Sequence, residues 1–159
     1  MIFLHYLVHI VFAGVGTLAF SILFHARKSE YMLCAVSGMI SWFLYLICME
    51  QLHTGPAIAS LISAFMLTLF ARVFAACRKE PVTTYLVTGI FTIVPGTWIY
   101  FTSYYLIMND VGSVRTNALI ALKVALAIAI GIVFAFAIPQ KLFHRSAEKI
   151  KKQRQQPSD

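Results

Sequence analysis

Five long apolar runs alternate with short polar segments along the chain. They lie at about Ile2–Phe24, Tyr31–Met49, Ala57–Ala76, Val82–Ile107 and Thr116–Ile138. A helix of about 20 apolar residues spans the hydrocarbon core of a bilayer, so each run is long enough to cross. The pattern predicts an all-α, polytopic membrane helix bundle of about five transmembrane helices. Residues 1–139 form the predicted transmembrane domain, and residues 140–159 form a basic cytosolic tail.

The fourth run is interrupted in its middle by Pro95-Gly96. Proline removes a backbone donor and clashes with the preceding helical turn, and glycine lets the chain leave helical geometry. Lipid offers no hydrogen bonds to freed backbone groups, so such a break is tolerated where it faces protein or a wet cavity. Many transporters build a substrate site from a broken helix. The alternative is a simple proline kink that only shapes packing.

Composition and charge favour lipid as the surrounding medium. The chain is 60% hydrophobic and 12% charged, about half the charged share of a soluble domain. The net charge of +7 could suggest a nucleic-acid partner, but the cations lie at the ends of the runs and in the tail. We therefore expect a lipid bilayer as partner and no nucleic acid.

The distribution of Lys and Arg predicts the orientation in the membrane. The polar segments after the first and third runs carry Arg27, Lys28, Arg78 and Lys79, and the tail is also basic, whereas Arg115 is the one loop cation on the other side. Cytoplasmic loops are enriched in Lys and Arg. The N-terminus is therefore predicted outside and the C-terminus in the cytosol.

Hydroxyl side chains accompany the break in the fourth run. Thr84, Thr88, Thr92 and Gly96 recur every four residues, and Tyr100 continues the count. Threonine in a membrane helix commonly donates to a carbonyl one turn earlier, which is the alternative to contact with a ligand. The predicted substrate path consists of Thr88, Thr92, Pro95, Gly96, Thr97, Tyr100 and Lys123.

Lys123 is the cation deepest within a predicted span, and such a residue is a functional candidate. Together with a helix N-terminus after Gly96 it would favour a carboxylate. The alternative is snorkelling of its long side chain to the membrane surface. Arg72, one turn inside the third run, is expected to anchor that run at the interface.

The sequence shows no sign of catalytic or metal chemistry. No Asp or Glu falls within a predicted span, and no GxSxG, HExxH or P-loop pattern occurs. His5 and His9 lie one turn apart, a spacing that can hold a metal, but no third ligand is near in sequence. We expect no enzyme activity, no catalytic residues, no cofactor and no metal site.

Small residues recur at helical spacing and predict close contacts between helices. One such face carries Ala13, Thr17 and Ser21, and the last run carries Ala121, Ala125 and Ala129 as well as Ala127, Gly131 and Ala135. Five spans offer few partners for so many faces, so some of these faces are expected to meet another subunit.

Three stretches resemble the threonine/serine exporter family, specifically its short integral-membrane subunit. They are Phe24-His25-Ala26-Arg27-Lys28, Gly38-Met39-Ile40-Ser41-Trp42 and Val94-Pro95-Gly96, the last followed four residues later by Tyr100. The chain differs from many family members in carrying Thr88 and Thr92 where these often have prolines.

The resemblance implies a subunit of a bacterial inner-membrane secondary transporter that exports threonine and serine or small carboxylates. It also implies a larger membrane subunit of the same family as partner. The alternative function is a non-transporting accessory or assembly subunit.

Overall fold

A computed structural model describes residues 2–139 of the chain. This part of the chain is built from six α-helices and one short 3₁₀ turn, Lys28–Glu30, before the second helix. The helices are α1 (Ile2–Leu23), α2 (Tyr31–Glu50), α3 (Pro56–Arg78), α4 (Val82–Ile90), α5 (Gly96–Ile107) and α6 (Val111–Ala137). The predicted tail, residues 140–159, lies outside the described residues.

Four helices are long and apolar enough to cross a membrane: α1, α2, α3 and α6. The predicted polytopic helix bundle is therefore confirmed. The fourth apolar run forms two half-helices, α4 and α5, of 9 and 12 residues. They are about 14 and 18 Å long, so neither spans a bilayer alone. The predicted interruption at Pro95-Gly96 is also confirmed.

The last helix begins at Val111, about one turn earlier than the hydrophobic pattern predicts. Asp110 caps this helix: its side chain accepts hydrogen bonds from the Ser113 N–H (3.2 Å) and the Ser113 hydroxyl (2.6 Å). These bonds from Ser113 hold the pKa of the Asp110 carboxyl below its ordinary value. A polar cap thus extends the helix beyond its apolar stretch.

The core lies where α2, α3 and α4 meet, with α1 packed on α2 and α6 packed on α3. Small residues allow these approaches. A methyl group at Gly131 of α6 would lie 2.6 Å from the Leu61 carbonyl oxygen of α3. Between α2 and α3 the Ser63 hydroxyl donates to the Ser41 carbonyl oxygen. The helices of this core are joined by close backbone contact and buried hydroxyl groups.

The two small faces of α6 have different surroundings. Ala127, Gly131 and Ala135 are buried, whereas Ala125 and Ala129 are exposed. One predicted face therefore packs within the chain, and the other is left without a neighbour in this part of the chain.

Arg72 differs from its sequence-based interpretation as an interface anchor. It is buried, its guanidinium Nη1 donates to the Ala135 carbonyl oxygen, and its Cζ lies 5.6 Å from the centre of the Phe136 ring. The end of α6 supplies a carbonyl group and an aromatic face, so Arg72 joins α3 to α6.

Candidate binding site at the helix break

The break between α4 and α5 is an ordered turn. The N–H groups of Thr92 and Ile93 donate to the carbonyls of Gly89 and Ile90, and the Gly96 N–H donates to the Val94 carbonyl at 2.7 Å. Pro95 lies between the last two residues with φ −73° and ψ 42°, close to an inverse γ-turn. The helix stops and restarts here, whereas a kinked helix continues through its bend.

A cavity of about 70 Å³ lies at this break, where α5 begins. Ser60 of α3 and Val124 of α6 contribute to its wall. The remaining lining residues come from α2, from the break and from the first turn of α5: Trp42, Tyr45, Thr92, Ile93, Val94, Pro95, Thr97 and Trp98. The break thus faces a partly open space between helices and not only lipid.

Ser60 gives this cavity an unusual polar group. Its side chain is fully buried, and its hydroxyl is the buried side-chain oxygen of the described chain that has no hydrogen-bond partner. Leaving such a group unpaired costs about 1–3 kcal/mol. Most buried polar groups in proteins are paired, so this exception requires an explanation.

The depth of the cavity follows from helix geometry. Ser60 lies four residues after the start of α3, and Trp42 lies eight residues before the end of α2. The cavity is therefore roughly 6–12 Å below the ends of α2 and α3 that meet at their shared loop. α5 begins at this cavity and is about 18 Å long, so the helix is longer than the distance from the cavity to those ends of α2 and α3.

Two further cavities follow α4 away from the break. One of about 230 Å³ is lined by Thr92 and Phe91 together with Trp42 and four residues of α1. The other, of about 610 Å³, includes Thr83, Thr84 and Thr88 and lies at the end of the bundle that carries Arg27 and Glu80. We call this end the basic end.

An aromatic stack separates these two cavities. The Phe91 ring lies 4.2 Å from the Phe20 ring and 5.5 Å from the Phe24 ring. Phe20 and Phe91 line the middle cavity, and Phe24 lines the large one. Thr92 lines both the middle cavity and the cavity at the break, so three spaces follow one another along α4.

The structure brings part of the predicted path together. Thr92, Pro95 and Thr97 line the cavity at the break, and Thr88 lines the large cavity at the basic end. The hydroxyls of Thr88 and Thr92 donate to the carbonyls of Thr84 and Gly89 at 2.9 and 2.8 Å. Each threonine therefore forms the local bond expected in a membrane helix, and its oxygen can still accept a bond.

The other three predicted residues lie on exposed faces. Tyr100 is 64% exposed, and Lys123 is exposed although the neighbouring Val124 lines the cavity. Gly96 is exposed, and a methyl group there would have no atom within 4 Å. Packing within the described chain therefore does not require glycine at this position.

Sequence reasoning missed a buried carboxylate at the basic end. Glu30 precedes α2, as expected, but it is only 4% exposed. The Tyr85 hydroxyl donates to its Oε2 at 2.6 Å, the Arg78 Nε lies 3.4 Å from the same oxygen, and the Ser29 hydroxyl donates to Oε1. These contacts join α4 to the start of α2 and the end of α3, and no local pattern links the residues.

Comparison with known proteins identifies the family. Residues 9–138 match the profile of the family described as Threonine/Serine exporter, ThrE. No curated protein and no solved structure matches the chain. The match begins within α1 and continues past the end of α6, so it includes the break and the residues that line its cavities. The chain therefore belongs to the threonine/serine exporter family.

Proposed function

We propose that the chain is a subunit of a secondary transporter, not an enzyme, and that it exports threonine and serine or small carboxylates across the bacterial inner membrane. Family membership supports a transport role. The observation that carries the proposal is the succession of three cavities along α4 and the break, two of which share Thr92 in their walls. A broken helix beside such spaces is the arrangement that many transporters use.

The proposed path runs along Thr88, Thr92, Pro95 and Thr97, which line the cavities. Gly96, Tyr100 and Lys123 lie beside it on exposed faces of α5 and α6. In this proposal a second subunit covers those faces and completes the path.

The proposed partner is the larger membrane subunit of the same family. Two features support it: α5 has no buried residue, and the small face of α6 at Ala125 and Ala129 is exposed. Small faces allow close approach of a second helix in lipid. Export of threonine by the purified chain alone in liposomes would contradict the need for a partner.

The proposed orientation has the N-terminus outside and the basic end in the cytosol, because Arg27, Lys28, Arg78 and Lys79 meet there. Single cysteines at positions 113 and 158 test it after the native Cys34, Cys48 and Cys77 are replaced. A membrane-impermeant thiol reagent added to intact cells should label Ser113→Cys and not Ser158→Cys. The reverse pattern would invert the topology.

A matched pair of threonine substitutions tests the path. Thr92→Val removes a hydroxyl from the cavities, whereas Thr102→Val removes one on α5 that also donates one turn back, to Trp98. With the partner present, in cells lacking other exporters, Thr92→Val should lower threonine export several-fold at unchanged abundance. Thr102→Val should export normally.

The alternative function is an accessory or assembly subunit without a solute path. It would be favoured if Thr92→Val and Pro95→Ala both exported at the wild-type rate while reaching the membrane in normal amounts.

A further inference from the structure

The first turn of α5 lines the cavity with two residues, Thr97 and Trp98, and has backbone donors that the helix itself does not use. The Gly96 N–H is occupied by the Val94 carbonyl and the Ile99 N–H by the Pro95 carbonyl. The N–H groups of Thr97 and Trp98 belong to the first turn, so they have no partner within the helix. A helix N-terminus also carries a partial positive charge, which favours an anion.

An independent observation points to a ligand at the same place. Ser60 comes from a different helix, is fully buried and lines this cavity, and its hydroxyl has no hydrogen-bond partner in the described chain. Nearby Ser63 shows the usual solution, since its hydroxyl donates to the Ser41 carbonyl. A buried hydroxyl left unpaired destabilises the protein, and a group bound in the cavity would pair with it.

The size and charge of the cavity restrict what can bind. None of its described lining residues is charged. A volume of about 70 Å³ holds about two waters, each of which takes roughly 30 Å³ in the liquid, so the cavity admits a small polar group. A carboxylate group, with its three heavy atoms, is a small polar group of this kind. Ser60, Thr97 and Trp98 all line this cavity, and a carboxylate offers acceptor oxygens for their three donors.

We propose that this cavity is a carboxylate-binding site, in which the Ser60 hydroxyl and the N–H groups of Thr97 and Trp98 hold the carboxylate of the transported solute. The inference rests on the proposed function and adds the binding atoms. It assigns to Ser60, on α3, a direct contact with the solute.

Equilibrium binding to membranes that contain the chain and its partner subunit tests the proposal, with radiolabelled L-threonine as probe and L-threoninamide as competitor. Wild type should prefer the free carboxylate to the amide. Ser60→Ala should weaken threonine binding about ten-fold, because it removes a hydrogen bond to a charged group. Ser60→Ala should also reduce the preference for threonine over threoninamide. Ser60→Thr should restore much of the threonine affinity and much of this preference.

Two controls separate binding from folding. Ser103→Ala removes an exposed hydroxyl on α5 that donates to the Ile99 carbonyl, and it should bind as wild type. Ser60→Ala should unfold at the same or a higher temperature than wild type, since it deletes an unpaired buried group. A lower unfolding temperature would mean that Ser60 has a structural partner, which would overturn the site.

The results also distinguish this inference from the proposed function. Normal threonine export and binding in Ser60→Ala, or equal losses for threonine and its amide, would overturn the carboxylate site and leave the transporter intact. Wild-type membranes that bind succinate and not threonine, with the same dependence on Ser60, would retain the site and overturn amino-acid export. If wild-type membranes bound neither threonine nor succinate, both the carboxylate site and the proposed transport function would be overturned.

Discussion

The two halves of the broken helix have similar apolar sequences but very different surroundings. In α4, Tyr85 and Thr88 are almost completely buried among α2 and α3. α5 has no buried residue in twelve, packs extensively only against α6, and leaves Leu106 and Ile107 68% and 82% exposed. The apolar character of the two halves therefore does not distinguish them. Specific contacts with neighbouring helices determine that α4 is buried and that α5 is exposed.

The contacts that hold α4 are steric and polar. Gly89 lies close to α2 and α3, and the Ser37 hydroxyl lies 3.3 Å from the Tyr85 carbonyl oxygen. At the basic end the Tyr85 hydroxyl is bonded to Glu30. α5 instead carries stacked aromatic rings on its exposed surface: the ring centres of Tyr100 and Tyr104 lie 6.5 Å apart. The break at Pro95 thus joins a half that is buried among its neighbours to a half that has no buried residue.

The largest difference between the halves is expected for glycine replacement. A β-carbon at Gly89 would lie 2.6 Å from Leu67 Cδ1 and 3.1 Å from Ser37 Oγ, whereas one at Gly96 meets open space. Gly89→Val should lower the free energy of unfolding by up to about 3 kcal/mol through overpacking. Gly96→Val should change it little. Thermal unfolding in detergent measures both, and equal effects would show that α4 is not more tightly packed than α5.

A smaller difference is expected for removal of a tyrosine hydroxyl. Tyr85→Phe takes a hydrogen bond from the buried Glu30 carboxylate, which keeps its contacts with Arg78 and Ser29. We expect a loss of about 1.5 kcal/mol in stability, the lower end for a bond to a charged group. Tyr104→Phe on α5 is the control, since that side chain is 41% exposed. An unchanged unfolding temperature for Tyr85→Phe would mean that α4 is held by packing alone.

The smallest effect is expected at Lys123. Its side chain is exposed on α6, and a long lysine there can direct its ammonium toward the N-terminal end of the helix and the membrane surface. Lys123→Met should therefore leave threonine export nearly unchanged. A strong loss of export of zwitterionic solutes at normal abundance would instead place the Lys123 ammonium in the path.

The sequence by itself determined the apolar spans and the position of the break. Both depend on local properties: the length of an apolar run sets whether it can cross a bilayer, and Pro95 prevents continuation of a helix wherever the chain folds. It also identified Thr92 and Thr97 as candidates, because they lie within one turn of the break. The sequence also placed Gly96 in the substrate path. In the structure a β-carbon at Gly96 would meet open space, so packing within the described residues gives no reason for glycine there.

Only the tertiary structure decided which polar groups are buried and what they face. Tyr85 and Glu30 are 55 residues apart, and Arg72 meets the Ala135 carbonyl across 63 residues. In the sequence Ser60 is an ordinary serine of an apolar helix. Only the folded chain shows that its hydroxyl is unpaired and that it lines a cavity together with the first turn of α5. Helical periodicity places a residue on a face, but the identity of the neighbouring helix depends on packing among distant segments of the chain.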